Sequence, residues 1–368
     1  PVATRGTVRA LTLDDLSSLD AQVLICNTYH FMLKPGADTI HTLGGLHQFM
    51  KWNKPLVTDS GGFQAFSLGT KMSDGIGKVY PSRHDTTNSL QNNKEKKKFV
   101  SEITEKGILF RSVYDGSEHF LSPEESIAIQ KKLGADMILV LDECTSNTDT
   151  KEYTKNSLER THRWAVRCIE ANYVHKTDQA LVGIIQGGTW QDLRVDSARY
   201  IASLPFHGLA IGGSLGEKED LSMILDWIVP FLPENKPRHL LGIGSVYHIF
   251  QAVERGIDLF DCKIPTQEAR HGYIYMRPPQ GTRENYFRYD ILKNTYSTDT
   301  RPLDERCACR VCTTYSRAYV SHLLRTKEFT GYSLASYHNV HFFLQLMRDI
   351  RRAIEESKFY ELKKEWGL

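Results

Sequence analysis

No stretch of 18 or more consecutive apolar residues occurs among the 368, and no charged-then-apolar leader opens the chain, so neither membrane-spanning helices nor secretory targeting is expected. Charge of one sign is also missing: 46 Lys and Arg stand against 44 Asp and Glu, a formal net charge of +2. So balanced a chain has no global field to draw a polyanion, and any nucleic-acid surface must be a local patch. Cysteine is sparse and odd in number. Seven occur, three of them crowded at Cys307, Cys309 and Cys312, a pattern that excludes a disulfide framework and points to reduced thiols, a metal and a cytoplasmic setting. Disorder is excluded by a hydrophobic content of 40%, enough for a large buried core.

What is present is an alternation of elements. Short apolar runs at Val23–Cys26, Pro55–Thr58, Met137–Leu141, Leu181–Ile185, Leu209–Ile211, Leu240–Ile243 and Ile257–Phe260 read as buried parallel strands. Between several of them lie stretches with helical periodicity, Ser122–Leu133, Tyr153–Tyr173 and Asp220–Ile228, the first opening on Ser122-Pro123, a cap followed by a proline at the first helical position. Repeated β/α units predict an α/β fold, a (β/α)8 TIM-type barrel with one weakly marked strand. Two stretches break the rhythm. Residues 69–106 are polar, include the run Lys94-Glu95-Lys96-Lys97-Lys98, and read as an inserted excursion. Residues 270–337 hold the cysteine cluster and read as a zinc-binding subdomain inserted after the last strand, leaving 1–269 and 338–368 to the barrel. A helix from His338 to about Lys358 then closes the barrel.

Three thiols within six residues lack one ligand for the tetrahedral set of a structural zinc site. His338 is the candidate, just before an apolar helical stretch, and His341 is its nearest competitor. A closed four-ligand site holds structure together and takes no part in chemistry, so one structural Zn2+ per chain is expected.

Strand ends of a β/α barrel collect catalytic groups, and three acids stand at such ends: Asp59, Asp142 and Asp261. Glycines accompany them in Ser60-Gly61-Gly62, Gln186-Gly187-Gly188 and Gly212-Gly213, where a ligand can approach the backbone closely. Several carboxylates and amide edges together suit a ligand rich in N–H donors and carbonyls, such as a purine-like base.

Thr58-Asp59-Ser60-Gly61-Gly62-Phe63-Gln64, Asp142-Glu143-Cys144-Thr145, Gln186-Gly187-Gly188, Gly212-Gly213, Asp261-Cys262-Lys263-Ile264-Pro265-Thr266 and the Cys307, Cys309, Cys312, His338 set resemble, in this order, the tRNA-guanine transglycosylases. The resemblance spans essentially the whole chain. It implies exchange of the wobble guanine of tRNA for a 7-deazaguanine base, with the anticodon loop and the free base as partners. By the same resemblance Asp261 is the nucleophile on the ribose and Asp59 the general acid/base. Asp142 reads the base edge, Gln186 and the Gly213 amide bond its carbonyl side, and Phe63 and Leu241 cover its two faces. The nucleotide must leave the stack to reach them.

Departures matter too. Gln267 stands where many bacterial members have arginine, leaving Lys263 and Arg270 as cationic contacts to the anticodon loop. Two positions govern room for the substituent of the base. Cys144 matches the bacterial pattern, whereas Gly216, counted without a gap from Gly213, matches the eukaryotic one and favours queuine; a one-residue gap would put Leu215 there instead and favour 7-aminomethyl-7-deazaguanine. The resemblance also implies a homodimer, with Phe49, Tyr315, Tyr319 and His322 as its aromatic patch. The competing expectations are a non-catalytic zinc-containing partner subunit that binds tRNA, a zinc-ribbon RNA-binding module and a retaining glycosidase. Retention of Asp59, Asp142 and Asp261 argues against the first, the second would need no acid/base pair, and the third would be favoured by aromatic-rich clefts and glutamate pairs, neither of which stands out.

Overall fold

The computed structural model describes residues 1–70, 100–174, 178–213, 215 and 220–368. Most of the polar excursion, residues 71–99, and Gly216 lie outside the described residues.

Strands β1 (Leu24–Cys26) and β2 (Leu56–Thr58) come first, and a three-stranded antiparallel meander follows, β3 (Val100–Ile103), β4 (Ile108–Arg111) and β5 (Glu118–Leu121). Next come β6 (Met137–Leu139), β7 (Ala180–Ile185), β8 (Gly208–Ile211), β9 (Arg238–Leu240) and β10 (Leu259–Phe260). Strands β1, β2, β6, β7, β8, β9 and β10 pair in that order in one sheet, parallel at every register given, such as Ile138 with Leu181 and Ala210 with His239. All seven expected strands are present. This is the α/β fold with TIM-type winding that the alternation predicted, although an eighth strand does not join the sheet among the described residues.

Local chemistry explains where the elements begin and end. Ser122 caps the helix Pro123–Leu133 by accepting the Glu125 N–H at 3.1 Å, and Gly134 ends it in the left-handed region. That helix carries Gln130, fully buried, whose Oε1 accepts from Thr58 Oγ1 and from the Leu139 N–H, both at 3.0 Å, while its Nε2 donates to the Leu139 carbonyl at 2.8 Å. One side chain therefore fixes β2 against β6 immediately before Asp59 and Asp142.

Two expectations are corrected. The strand placed at Leu240–Ile243 runs over Arg238–Leu240, because buried Arg238 satisfies its guanidinium on the Leu232, Pro233 and Gly256 carbonyls and so tolerates a strand interior. The last long helix runs over Phe329–Glu355, so His338 lies near its middle and not at its start. Gly331 conceals the true beginning: a Cβ there would come within 2.8 Å of Leu323 Cβ, so the residue is small to let the helix Arg317–Arg325 pack against it.

The described chain divides into two compact units, one of residues 1–24, 242–251 and 260–368, the other of residues 25–241 and 252–259. In the first, Tyr275, Phe342, Phe343 and Trp366 form an aromatic core, with Tyr275 and Phe343 centroids 4.7 Å apart, edge to face. Full burial of each such ring contributes about 1.5–3 kcal/mol. In the second, the core is the apolar strands and Trp164, fully buried on the helix Lys151–Val174. No helix among the described residues is long and apolar enough to cross a membrane.

Candidate active site and metal centre

Asp59 directly follows β2, and its carboxylate sits among converging donors. The Thr28 N–H reaches Oδ1 at 2.8 Å, the Gly61 N–H reaches it at 3.3 Å, and the Asn27 amide donates to Oδ2. Burial outweighs these donors and lifts the acid to about 6, with the Thr28, Asn27, Gln64 and Gly61 hydrogen bonds pulling the other way. A carboxyl poised near neutrality while still oriented by fixed donors suits proton transfer. Phe63 follows on the helix Gly62–Thr70 and is half-buried.

Asp142, only 6% exposed, ends the segment after β6 and is bonded by Ser60 Oγ at 3.3 Å and Gln186 Nε2 at 2.5 Å. A carboxylate only accepts, so Asp142 is matched to hydrogen-bond donors, as these two contacts show. Gln186 follows β7, and its backbone N–H is held by Ser197 Oγ at 3.1 Å. Its Oε1 is buried and finds no hydrogen-bond partner among the described residues, beside the Gly213 backbone: a Cβ on Gly213, where φ is +83°, would lie 2.2 Å from it. Only glycine fits there. The structure therefore brings Asp142, Gln186 and Gly213 together, as expected from the sequence. Cys144 is buried two residues beyond Asp142, and Leu241, after β9, is half-buried with its N–H on the Ile211 carbonyl at 3.1 Å.

Asp261, in the other unit, follows β10, and its Oδ1 accepts the Gly242 N–H at 3.0 Å. Lys263 is exposed at the start of the helix Ile264–Arg270, while Gln267 and Arg270 are half-buried along it. Arg270 donates to the Thr266 carbonyl at 2.6 Å, and its pKa falls below the ordinary arginine value through burial first and the nearby Arg9 second.

The ligand atoms of Cys307, Cys309, Cys312 and His338 all lie within 4.8 Å of one another. Cys312 Sγ is 3.2 Å and Cys309 Sγ 3.7 Å from His338 Nδ1, against the roughly 3.6 Å edge of a tetrahedron built on ordinary Zn–S and Zn–N bond lengths. His338 Nε2 lies 2.8 Å from the Tyr275 carbonyl, which can only accept, so this nitrogen carries the proton and Nδ1 keeps its lone pair for a metal. The next residue, Asn339, locks the same stretch by accepting the Tyr275 N–H and donating to the Pro265 and Tyr273 carbonyls. His341, the competitor, lies 3.4 Å from Cys307 Sγ and stands beside the four-residue set. Donor chemistry and spacing fit a metal such as zinc.

The family model for queuine tRNA-ribosyltransferase matches residues 1–367. The chain belongs to the queuine tRNA-ribosyltransferase family. It is accordingly an enzyme, a transferase. It is 44% identical to a putative queuine tRNA-ribosyltransferase of Archaeoglobus fulgidus, over the whole chain and 91% of that relative. Identity is 45% with the queuine tRNA-ribosyltransferase of Halothermothrix orenii, over the whole chain and 88% of the relative, and 41% with that of Bacillus velezensis, over the whole chain and 87%.

Some supporting residues escaped sequence reasoning. Glu143 is buried beside Asp142, paired with Arg160 and accepting the Tyr153 hydroxyl at 2.7 Å. Burial and that carboxylate push the Tyr153 hydroxyl pKa upward. Its place inside the Asp142-Glu143-Cys144 motif was the available signal. Asn27 and Thr28, which bind Asp59, follow β1, and their strand-end position was the only hint.

Proposed function

We propose that this enzyme is a tRNA-guanine transglycosylase, which exchanges the wobble guanine of tRNAs with GUN anticodons (those for Asp, Asn, His and Tyr) for a 7-deazaguanine base, 7-aminomethyl-7-deazaguanine or queuine, in queuosine biosynthesis or salvage. The observation that carries the reading is Asp59, whose carboxyl is lifted to about 6 by burial yet oriented by the Thr28 and Gly61 amides, within a chain of the queuine tRNA-ribosyltransferase family.

Asp261 attacks the ribose anomeric carbon, the bond to guanine breaks, and the electron pair leaves with the base. Asp59 delivers the proton that makes guanine a competent leaving group. The incoming base, deprotonated by Asp59, then displaces Asp261 from the opposite face, so two inversions give net retention. Asp142 accepts from the N1–H and exocyclic amine of the base, a donor pair that adenine lacks. Gln186 and the Gly213 amide bond the six-position carbonyl, and Phe63 and Leu241 cover the ring of the flipped-out nucleotide. Lys263, Gln267 and Arg270 meet the anticodon loop, where cations neutralise phosphate. Residues 270–337 form the subdomain around one structural Zn2+ held by Cys307, Cys309, Cys312 and His338; the metal supplies rigidity and no chemistry. The active species is a homodimer.

The test is incorporation of labelled guanine into an unmodified GUN-anticodon tRNA, with a denaturing gel to trap the covalent tRNA adduct. Incorporation with the adduct supports the reading. No incorporation, or incorporation without dependence on Asp261, overturns it.

A further inference from the structure

Arg194 lies in the first turn of the helix Gln191–Ser203, fully buried. Its Nε donates to the Gly188 carbonyl at 2.6 Å, and Nη1 donates to the Gly212 carbonyl at 2.9 Å and, at longer range, to the Ile185 carbonyl at 3.4 Å. These oxygens belong to the turns after β7 and β8, the turns that carry Gln186 and Gly213. The helix is pressed close. A Cβ on Gly187, where φ is +129°, would meet the Arg194 backbone nitrogen at 2.7 Å. Burial lowers the guanidinium to about 10, so it remains a cation at neutral pH.

The direction of one bond follows from this arrangement. The Gly212 carbonyl and the Gly213 N–H belong to the same planar trans peptide unit, so they point in opposite directions. Anchoring the oxygen on Arg194 turns the Gly213 N–H away from the helix. A cation on the carbonyl also polarises the unit and strengthens its N–H as a donor. A buried guanidinium carries a heavy desolvation cost, and a methionine of similar reach would fill the space without it. What methionine cannot do is orient three carbonyls.

We propose that Arg194 is a positioning residue for base selection: it aims the Gly213 amide at the six-position carbonyl of a purine-2-amine base and thereby sets the preference for 6-oxo bases. The assignment rests on reading Asp142, Gln186 and Gly213 as the guanine pocket.

The test compares guanine with 2-aminopurine, which lacks the six-position oxygen and, equally for every variant, the N1–H assigned to Asp142. Full-length wild type, Arg194→Lys and Arg194→Met are titrated with guanine and with 2-aminopurine, and KM for base and for tRNA is measured in guanine exchange. Arg194→Lys is expected to weaken guanine binding about tenfold and Arg194→Met further, since one well-aimed hydrogen bond is lost, with 2-aminopurine changed less than about twofold and KM for tRNA unaltered. Equal losses on both bases, or unchanged guanine affinity in folded variants, would overturn the assignment, because a merely structural arginine does not distinguish the ligands. If the variants do not fold, a structure of the wild type with guanine decides. The six-position oxygen on Gly213 N with the Gly212 oxygen still on Arg194 supports it; a peptide turned off Arg194 refutes it. A wild type that neither binds nor exchanges guanine removes the pocket reading itself, whereas a competent wild type with variants equally impaired on both bases removes only the role of Arg194.

Discussion

Replacing Asp59 by asparagine should destroy activity and, above pH 6, stabilise the protein. The carboxyl titrates near 6 in the folded chain against an ordinary value of 3.8, with burial as the dominant cause. The folded state therefore holds this proton more tightly than the unfolded state does. The stability so conferred is complete below about pH 4 and is lost as pH rises through about 6. A difference of about two pH units, at about 1.36 kcal/mol each, sets an upper limit of about 3 kcal/mol on what the ionised group costs. Asparagine stays neutral and its carbonyl can keep the Thr28 and Gly61 N–H bonds, but its amino group faces the Asn27 amide. A net gain of about 1–2 kcal/mol at pH 8 is expected. Denaturant melts of both proteins from pH 4.5 to 8 measure it, since the titrations of other groups cancel in the difference. The gap in favour of Asp59→Asn should widen between pH 4.5 and about 6.5 and then level off. A gap independent of pH, or one that narrows as pH rises, would refute the reasoning.

Three further outcomes follow from the same account. Asp261→Asn should reduce guanine exchange below about a hundredth of wild type and abolish the covalent adduct, while filter binding of tRNA persists through phosphate contacts. Purified protein should contain one equivalent of zinc by metal analysis, and Cys309→Ser should lose it, with disorder around His338 seen by hydrogen exchange; less than about half an equivalent in wild type counts against the site. As the ungapped resemblance implies for position 216, queuine should be accepted in competition kinetics, and Gly216→Val, which adds three carbons, should impair queuine more than 7-aminomethyl-7-deazaguanine; a queuine KM more than about a hundredfold above that of the aminomethyl base would contradict this.

The sequence made the parallel strands legible because buried strands such as Leu181–Ile185 are continuous apolar runs that surface elements never show. Arg238 and His239 hid the beginning of β9, since a buried arginine bonded to three carbonyls looks, in a string of letters, like an exposed one. The same limit applies to Arg194, which reads as the polar face of an amphipathic helix until its carbonyl partners are seen. Antiparallel β3–β5 went unread because β5 is mostly solvent-facing, with Phe120 47% exposed, and carries too few buried residues to mark a period. The candidate metal cluster was easier: Cys307, Cys309 and Cys312 declare themselves by spacing, and His338 by its distance from them. The helix around His338 was misplaced because Gly331 near its beginning mimics a break. Asp59, Asp142 and Asp261 were legible as strand-end acids because each follows an apolar strand. Their partners, Asn27, Thr28 and Ser60, are ordinary polar residues whose roles only three dimensions reveal.

On the proposed function, this chain breaks and remakes the bond between a tRNA ribose and its wobble guanine. Purified protein incubated with unmodified tRNA for tyrosine and labelled guanine tests it most directly. Label should be incorporated stoichiometrically at the wobble position, and not when that guanine is replaced by adenine or when Asp261 is changed to asparagine. Zinc-loaded, folded protein that leaves the tRNA unlabelled would contradict it.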